Sequence, residues 1–315
     1  ADAHGGGRRR ATFHARCVKG RPRTGFMQAR AHEIVAIDSC PLLAASMAGA
    51  LPAARALAQA LAASGKPLDI LVTATASGLD VDLKGHGPLG KARTQDLVRI
   101  AQEHDLARLS NHGAIVISRR TPMLAMGKAM VAPPPGVFLQ ATETAEEMLS
   151  ARVCAHVAGA RHVADLFCGI GTFALRMAEF ATVDAFDLDE AALAALAKAA
   201  RIKGLRQVAV FPRDLFRRPL DARELERYDA VVFDPPRAGA ESQAVALSAS
   251  AVPLVVAVSC SAQTFARDAA TLSAGGYEIA RVEPVDQFRH TPHVEIVACL
   301  RRRTQGPRAN RRLLG

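Results

Sequence analysis

The sequence predicts an α/β protein whose second half is a mainly parallel sheet, preceded by a smaller α+β region. Three observations carry that expectation. From residue 163 onward, short apolar runs alternate with helical stretches of about ten to fifteen residues, the signature of βαβ units. The first run ends in Gly169-Ile-Gly171, a tight turn between strand and helix. A Pro-rich stretch, Ala132-Pro-Pro-Pro-Gly136, separates the halves. The 315 residues, 50% of them hydrophobic, suffice for about two domains of roughly 150 residues. The division that follows is 1–135, 136–302 and a basic tail, 303–315.

In the first region Arg9–Cys17, Thr24–Arg30 and His32–Asp38 read as short strands with basic flanks. Pro41–Ser64 reads as a helix, or as two broken at Pro52. Asp69–Thr75 and Leu79–Leu83 flank the turn signal Ala76-Ser-Gly78 and predict a hairpin. Lys91–His104 is helical and Ala114–Ser118 a strand.

In the second region the expected strands are Val163–Cys168, Thr182–Asp187, Gln207–Phe211, Tyr228–Phe233 and Pro253–Ser259. Helices over Phe173–Phe180, Glu190–Lys203 and Gln263–Ser273 intervene, and Tyr277–Val285 with His293–Leu300 close the pattern as an antiparallel pair. Ligands of such sheets sit beyond the carboxyl ends of the strands.

The net charge of +10 is concentrated at the ends. Residues 1–23 carry seven Lys/Arg against one Asp, and residues 301–315 carry six Arg and no acid. Basic ends suit phosphate contacts, which favours a nucleic-acid partner over a merely solvated surface. No run of 18 apolar residues suggests a membrane span, and the first residues lack the apolar core of a signal peptide. Without an initiator Met, the chain is expected to begin inside a longer reading frame. Six scattered cysteines with no C-x-x-C pair fit reduced, cytoplasmic thiols and propose no zinc site.

Asp165-Leu-Phe-Cys-Gly-Ile-Gly171 ends a strand and opens a helix, so its backbone can approach a ligand closely. Gly169-x-Gly171 and Asp187, placed for ribose hydroxyls, suit a dinucleotide or S-adenosylmethionine equally. Asp234-Pro-Pro-Arg237 holds an acid and a base on a stiff loop after the fourth strand. Cys260 ends the fifth strand just before a helix, where a thiolate is favoured. Glu295 opens an otherwise apolar strand. It reads as an exposed residue or as a partly desolvated base.

These motifs, in this order, resemble the RNA uracil-5 methyltransferase family. The resemblance runs from about Arg8 to Arg302 and is most specific at Asp165–Gly171, Asp234–Gly239, Ser259–Asp268 and His290–Glu295. It implies a class I, Rossmann-like, seven-stranded sheet that binds S-adenosylmethionine. By position it implies Cys260 as the nucleophile and Glu295 as the proton-abstracting base. Gln140, Phe167, Gly169, Gly171, Thr172, Asp187, Asp214 and Asp234 would surround the cofactor. The implied substrate is RNA, with 23S rRNA ahead of tRNA, and the implied enzyme is a cytoplasmic monomer. Many members also hold a [4Fe–4S] cluster through four Cys. Cys40 matches the last of these, and a cluster is expected only in a longer chain that supplies the other three.

Five positions depart from the family pattern. Ser261-Ala262 stands for Asn-Pro, Thr142 and Thr172 stand for Asn, and Arg289 stands for Pro. Rival readings differ at the motifs. Cytosine-5 enzymes need a second Cys in the loop that here reads Asp-Pro-Pro-Arg, and adenine-N6 enzymes prefer Asn-Pro-Pro-aromatic. A dinucleotide oxidoreductase and a catalytically weakened RNA-binding relative complete the alternatives.

Overall fold

The structure, a computed structural model, describes residues 2–18, 21–28, 31 and 33–303. The expected strand ends at Arg30 and His32, and the tail beyond residue 303, lie outside the described residues.

The first sheet is built from β1 (Arg10–Val18), β2 (Arg21–Met27), β3 (Ile34–Ala36), β4 (Leu68–Thr75), β5 (Gly78–Lys84), β6 (Arg108–Asn111) and β7 (Ala114–Ser118). Its order is β3-β2-β1-β4-β5-β6-β7, antiparallel except between β5 and β6. Helices α1 (Ala50–Leu61) and α2 (Lys91–Glu103) pack on it. Leu51, Ala54, Leu57, Ala58 and Leu61 are buried at helical spacing, so α1 has one apolar face for the sheet. The anticipated helix over Pro41–Ser64 is shorter, with single 3₁₀ turns at Ala45–Met47 and Ala62–Ser64. Pro52 does not break α1. It lies in the first turn, where its missing N–H would have had no intrahelical acceptor.

A hairpin of β8 (Leu124–Met126) and β9 (Ala129–Val131) and the helix α3 (Glu143–Val157) follow. The second sheet then forms from β10 (His162–Leu166), β11 (Thr182–Asp187), β12 (Val208–Pro212), β13 (Ala230–Phe233), β14 (Leu254–Ser259), β15 (Tyr277–Val285) and β16 (Glu295–Arg302). Between these strands lie α4 (Ala174–Met177), α5 (Glu190–Ala199), α6 (Ala222–Leu225), α7 (Glu241–Ser248) and α8 (Ala262–Ala274). The sheet order is β12-β11-β10-β13-β14-β16-β15, parallel but for β16, which runs against both of its neighbours. All four residues of β13 are buried, as a strand covered on both faces requires. One face packs on α3, α4, α5 and the β8–β9 hairpin, the other on α6, α7 and α8.

The two sheets are tied together at the start of the chain. Ala3 N–H donates to the Asp286 carbonyl, the Thr142 hydroxyl to the Ala3 carbonyl, and Arg9 N–H to the Ala141 carbonyl. The Arg9 guanidinium pairs with Glu146, which also takes Arg176 at 3.0 Å. Two cations beside one buried acid satisfy its oxygens, and removing either partner of such a pair costs about 3–5 kcal/mol. Among the described residues no helix is long and apolar enough to cross a membrane.

Candidate active site

Strand β10 has β11 on one side and β13 on the other, so the connections diverge there and a crevice opens at the strand ends. Three residues after β10 have left-handed backbones: Phe167 (φ 61°), Gly169 (φ 54°) and Gly171 (φ 95°). A Cβ on Gly171 would fall 2.4 Å from Leu196 Cδ1, so only glycine lets this turn close onto α5. A Cβ on Gly169 would meet nothing within 4 Å, which leaves the backbone bordering open space.

The Asp187 carboxylate is held by main-chain donors on both oxygens. Gly169 N–H donates to Oδ2 at 2.8 Å and Asp189 N–H to Oδ1 at 2.9 Å. Each oxygen keeps a lone pair for a hydroxyl. Beyond β12, Asp214 Oδ1 accepts from Phe216 N–H at 3.0 Å and Arg217 N–H at 3.2 Å. That turn brings the Phe216 ring to 5.3 Å from Phe167. Thr172 supplies its carbonyl to Arg176 Nη1 at 2.8 Å. Asp165 is fully buried on β10, and burial together with the Asp234 carboxylate pushes its pKa well up. Open glycine backbone, a fixed acid at the second strand and an aromatic pair at the third together fit the adenosine moiety of S-adenosylmethionine.

On the other side of the crevice, the end of β14 and the start of β16 bring the residues expected as nucleophile and base near each other. The last pair of β14 and β16 is Ser259 with Ile296, Cys260 and Glu295 are the chain neighbours of that pair, and the Glu295 charge reaches the Cys260 thiol. Glu295 is buried although it is an ionisable side chain, and burial raises its pKa against the lowering effects of Gln287 and Arg237. Asp234 follows β13 directly and lies within electrostatic reach of both Cys260 and Glu295. Burial, and next the Glu295 carboxylate, push it up to about 8.

Cys260 is half-buried, and its thiol is pushed above the ordinary range by burial, then by Glu295 and Asp234; Arg237 opposes them. This corrects the expectation of a favoured thiolate at the helix start. Cys260 lies outside the helix, the cap being Ser261, and burial with the neighbouring acids outweighs one guanidinium.

The Asp234-Pro-Pro-Arg237 loop is locked by α8. Ala240 N–H donates to the buried Asp268 Oδ2 at 2.7 Å, and Arg267 donates to the Ala238 carbonyl at 3.0 Å. Asp268→Ala is expected to lower unfolding stability by about 1–3 kcal/mol, since it strands a buried N–H. Urea denaturation checks this, with Asp268→Asn, which keeps an acceptor, less affected.

A family model described as tRNA (Uracil-5-)-methyltransferase matches residues 133–303. An RNA methyltransferase of Brucella suis biovar 1 is 48% identical, over 93% of this chain and 71% of its own length. The chain belongs to this uracil-5 methyltransferase family. It is an S-adenosylmethionine-dependent RNA uracil-C5 methyltransferase with the class I α/β fold. An RNA methyltransferase of Caulobacter vibrioides is 41% identical, over 94% of this chain and 73% of its own length. The 23S rRNA (uracil(1939)-C(5))-methyltransferase RlmD of Chromohalobacter salexigens is 33% identical, over 94% and 65%. Among solved structures, the Pyrococcus abyssi tRNA (uracil-54, C5)-methyltransferase with S-adenosyl-L-homocysteine shares the fold, with a TM-score of 0.71 and 23% identity. That match covers 94% of this chain and 76% of the other.

Three departures from the family pattern have local explanations. Ser261 caps α8 by accepting from Thr264 N–H, a task Asn also performs, and Ala262 begins the helix. Thr142 caps α3, accepting from Ala145 N–H at 3.0 Å. Arg289 pairs with Asp2 at 2.7 Å. For Thr172 in place of Asn the side-chain contacts give no explanation. Cys40 is a free, half-buried thiol near Arg8. Among the described residues no three His, Cys, Asp or Glu side chains are grouped to hold a metal ion, so these residues do not fit a cluster.

Sequence reasoning missed Gln287, Asp268 and Phe216. Gln287 Nε2 donates to Gln140 Oε1 at 2.9 Å and to Glu295 Oε1 at 3.0 Å, which joins a residue expected at the cofactor to the residue expected as base.

Proposed function

We propose that this enzyme makes 5-methyluridine in 23S rRNA through a covalent adduct between Cys260 and carbon 6 of the uracil. The observation that supports the reading is a half-buried thiol, Cys260, within electrostatic reach of a buried carboxyl, Glu295, where β14 ends and β16 begins. Carbon 5 of uracil is a weak nucleophile. Addition of the Cys260 thiolate to carbon 6 breaks the carbon 5–carbon 6 double bond and moves electron density to carbon 5 and the neighbouring carbonyl. S-adenosylmethionine, when bound, supplies an electrophilic methyl group for carbon 5. The Glu295 carboxylate then takes the carbon 5 proton; the C–H pair re-forms the double bond, and the carbon 6–sulfur pair returns to Cys260.

Gln140, Phe167, Gly169, Gly171, Thr172, Asp187, Asp214 and Asp234 would hold the cofactor. With its pKa near 8, Asp234 is largely protonated at neutral pH and can donate a hydrogen bond. Residues 1–135 and the basic tail are assigned to RNA contacts on their charge, and 136–302 to methyl transfer. A target base must leave its stack to reach so buried a pair. The reading implies a cytoplasmic enzyme acting as a monomer.

The rRNA target is supported by the C. salexigens relative's described activity at 33% identity. A tRNA target is the second reading, favoured by the description of the family model. The test is incubation with 23S rRNA and with tRNA, followed by mass-spectrometric mapping of the methylated nucleoside. 5-Methyluridine in 23S rRNA alone is the expected product. 5-Methyluridine in tRNA alone would select the second reading, and methylation of cytosine or adenine would overturn both.

A further inference from the structure

We infer that Gln287 is a positioning residue whose single buried amide holds the carboxylate of Glu295 and the side chain of Gln140 in fixed relation. The inference rests on the reading of Glu295 as base and Gln140 as a cofactor contact. Gln287 is 1% exposed and uses its whole amide. Its Oε1 accepts from Ala141 N–H at 3.0 Å, and its Nε2 donates to Gln140 Oε1 and to Glu295 Oε1. The main-chain donor at Ala141 fixes which end of the amide is oxygen, so the NH₂ must face the other two partners. Because Gln140 spends its carbonyl on Gln287, it has its own NH₂ left to offer a ligand.

The segment bearing Gln287 is itself anchored. Asp286 bridges to Asp2, its carbonyl accepts from Ala3 N–H, and its Oδ1 accepts from Phe288 N–H at 3.0 Å. The amide is therefore presented from a fixed loop to two groups on different elements. Cofactor contact and proton acceptor are set by one side chain.

The electrostatic consequence has a definite sign. Burial disfavours the charged form of Glu295, and Arg237 favours it, while its charge in turn acts on Asp234 and Cys260. A donor from Gln287 also favours the charged form. Without it the carboxylate titrates at higher pH, and less of it is in the proton-accepting form at neutrality.

The test uses ¹³C-glutamate-labelled protein, with the Glu295 carboxyl signal assigned by its absence in Glu295→Gln. In Gln287→Met the titration midpoint is expected to move to higher pH. Calorimetry should show S-adenosylmethionine binding weakened by about tenfold as Gln140 loses its anchor. Should the Met variant not fold, Gln287→Glu keeps an acceptor for Ala141 N–H, and its carboxyl should move the midpoint the same way. An unchanged midpoint and unchanged affinity in a folded variant would overturn the inference. Neither readout needs turnover. If Glu295→Gln turned over normally, the reading of Glu295 as base would fail instead, and that result is separate.

Discussion

Replacing Cys260 by alanine is expected to abolish methyl transfer while leaving the fold and cofactor binding intact. The side chain is half-buried, and no helix or strand depends on it, since Ser259 and Ser261 make the turn and cap around it. Its loss should therefore cost little stability. For activity the loss is large, because an uncatalysed uracil has no electron-rich carbon 5 to present. Removing a covalent nucleophile in a serine protease costs on the order of 10⁶ in kcat, and a comparable loss lies below ordinary detection. Tritium transfer to RNA measures it. RNA containing 5-fluorouridine gives the sharper readout, since fluorine at carbon 5 cannot leave as a proton and the adduct persists. Wild-type protein should shift on a denaturing gel and Cys260→Ala should not. An adduct that survived in the alanine variant would place the nucleophile elsewhere.

The same thiol carries a pH prediction. Burial, Glu295 and Asp234 raise its pKa above the usual 9.0, so alkylation by iodoacetamide should rise only at alkaline pH. A raised thiol pKa means the thiolate is scarce below it, so the limb must move down when a neighbouring carboxylate is neutralised. Glu295→Gln should show that downward shift. No shift would mean that Glu295 does not face Cys260.

Much of this site was legible because its parts lie at strand ends. Strands buried on both faces are written as continuous apolar runs, so Leu254–Ser259 and Ala230–Phe233 announce themselves, and Cys260 and Asp234 follow directly. The elements that stayed hidden break that rule. Helix α3 buries Glu146 and Ser150, which interrupts its apolar stripe; the compensating cations, Arg9 and Arg176, are 137 and 30 residues away. Gln287 lies in the connection before β16 and carries no periodic signal. Its meaning comes from Gln140, at a separation of 147 residues, and from a strand register that composition does not encode. The Cys260 pKa was misread for the same reason. A helix start is visible in sequence, whereas two carboxylates converging from β13 and β16 are visible only in space.

Glu295→Gln is the second substitution with a large expected effect, and it should fail at a different step. Glutamine preserves the shape, so the thiolate can still add and carbon 5 can still be methylated. What is lost is the proton acceptor, so elimination stalls and the methylated uracil stays bound to Cys260. General-base removal costs about 10²–10⁴ in rate. Ordinary RNA should then yield a covalent complex carrying a labelled methyl group, which wild-type enzyme releases. Cys260→Ala and Glu295→Gln thus give opposite gels with the same RNA: no adduct in one, a trapped and methylated adduct in the other. If Glu295→Gln neither trapped RNA nor slowed release, the proton would have to leave by another group. Asp234 is the candidate on electrostatic grounds, as a buried carboxyl whose pKa the Glu295 charge raises. Its pKa of about 8 argues against it, because an acid largely protonated at neutral pH cannot accept the proton as readily. Glu295 has the Gln287 donor and Arg237 to favour its charged form, and among the described residues no such lowering partner acts on Asp234.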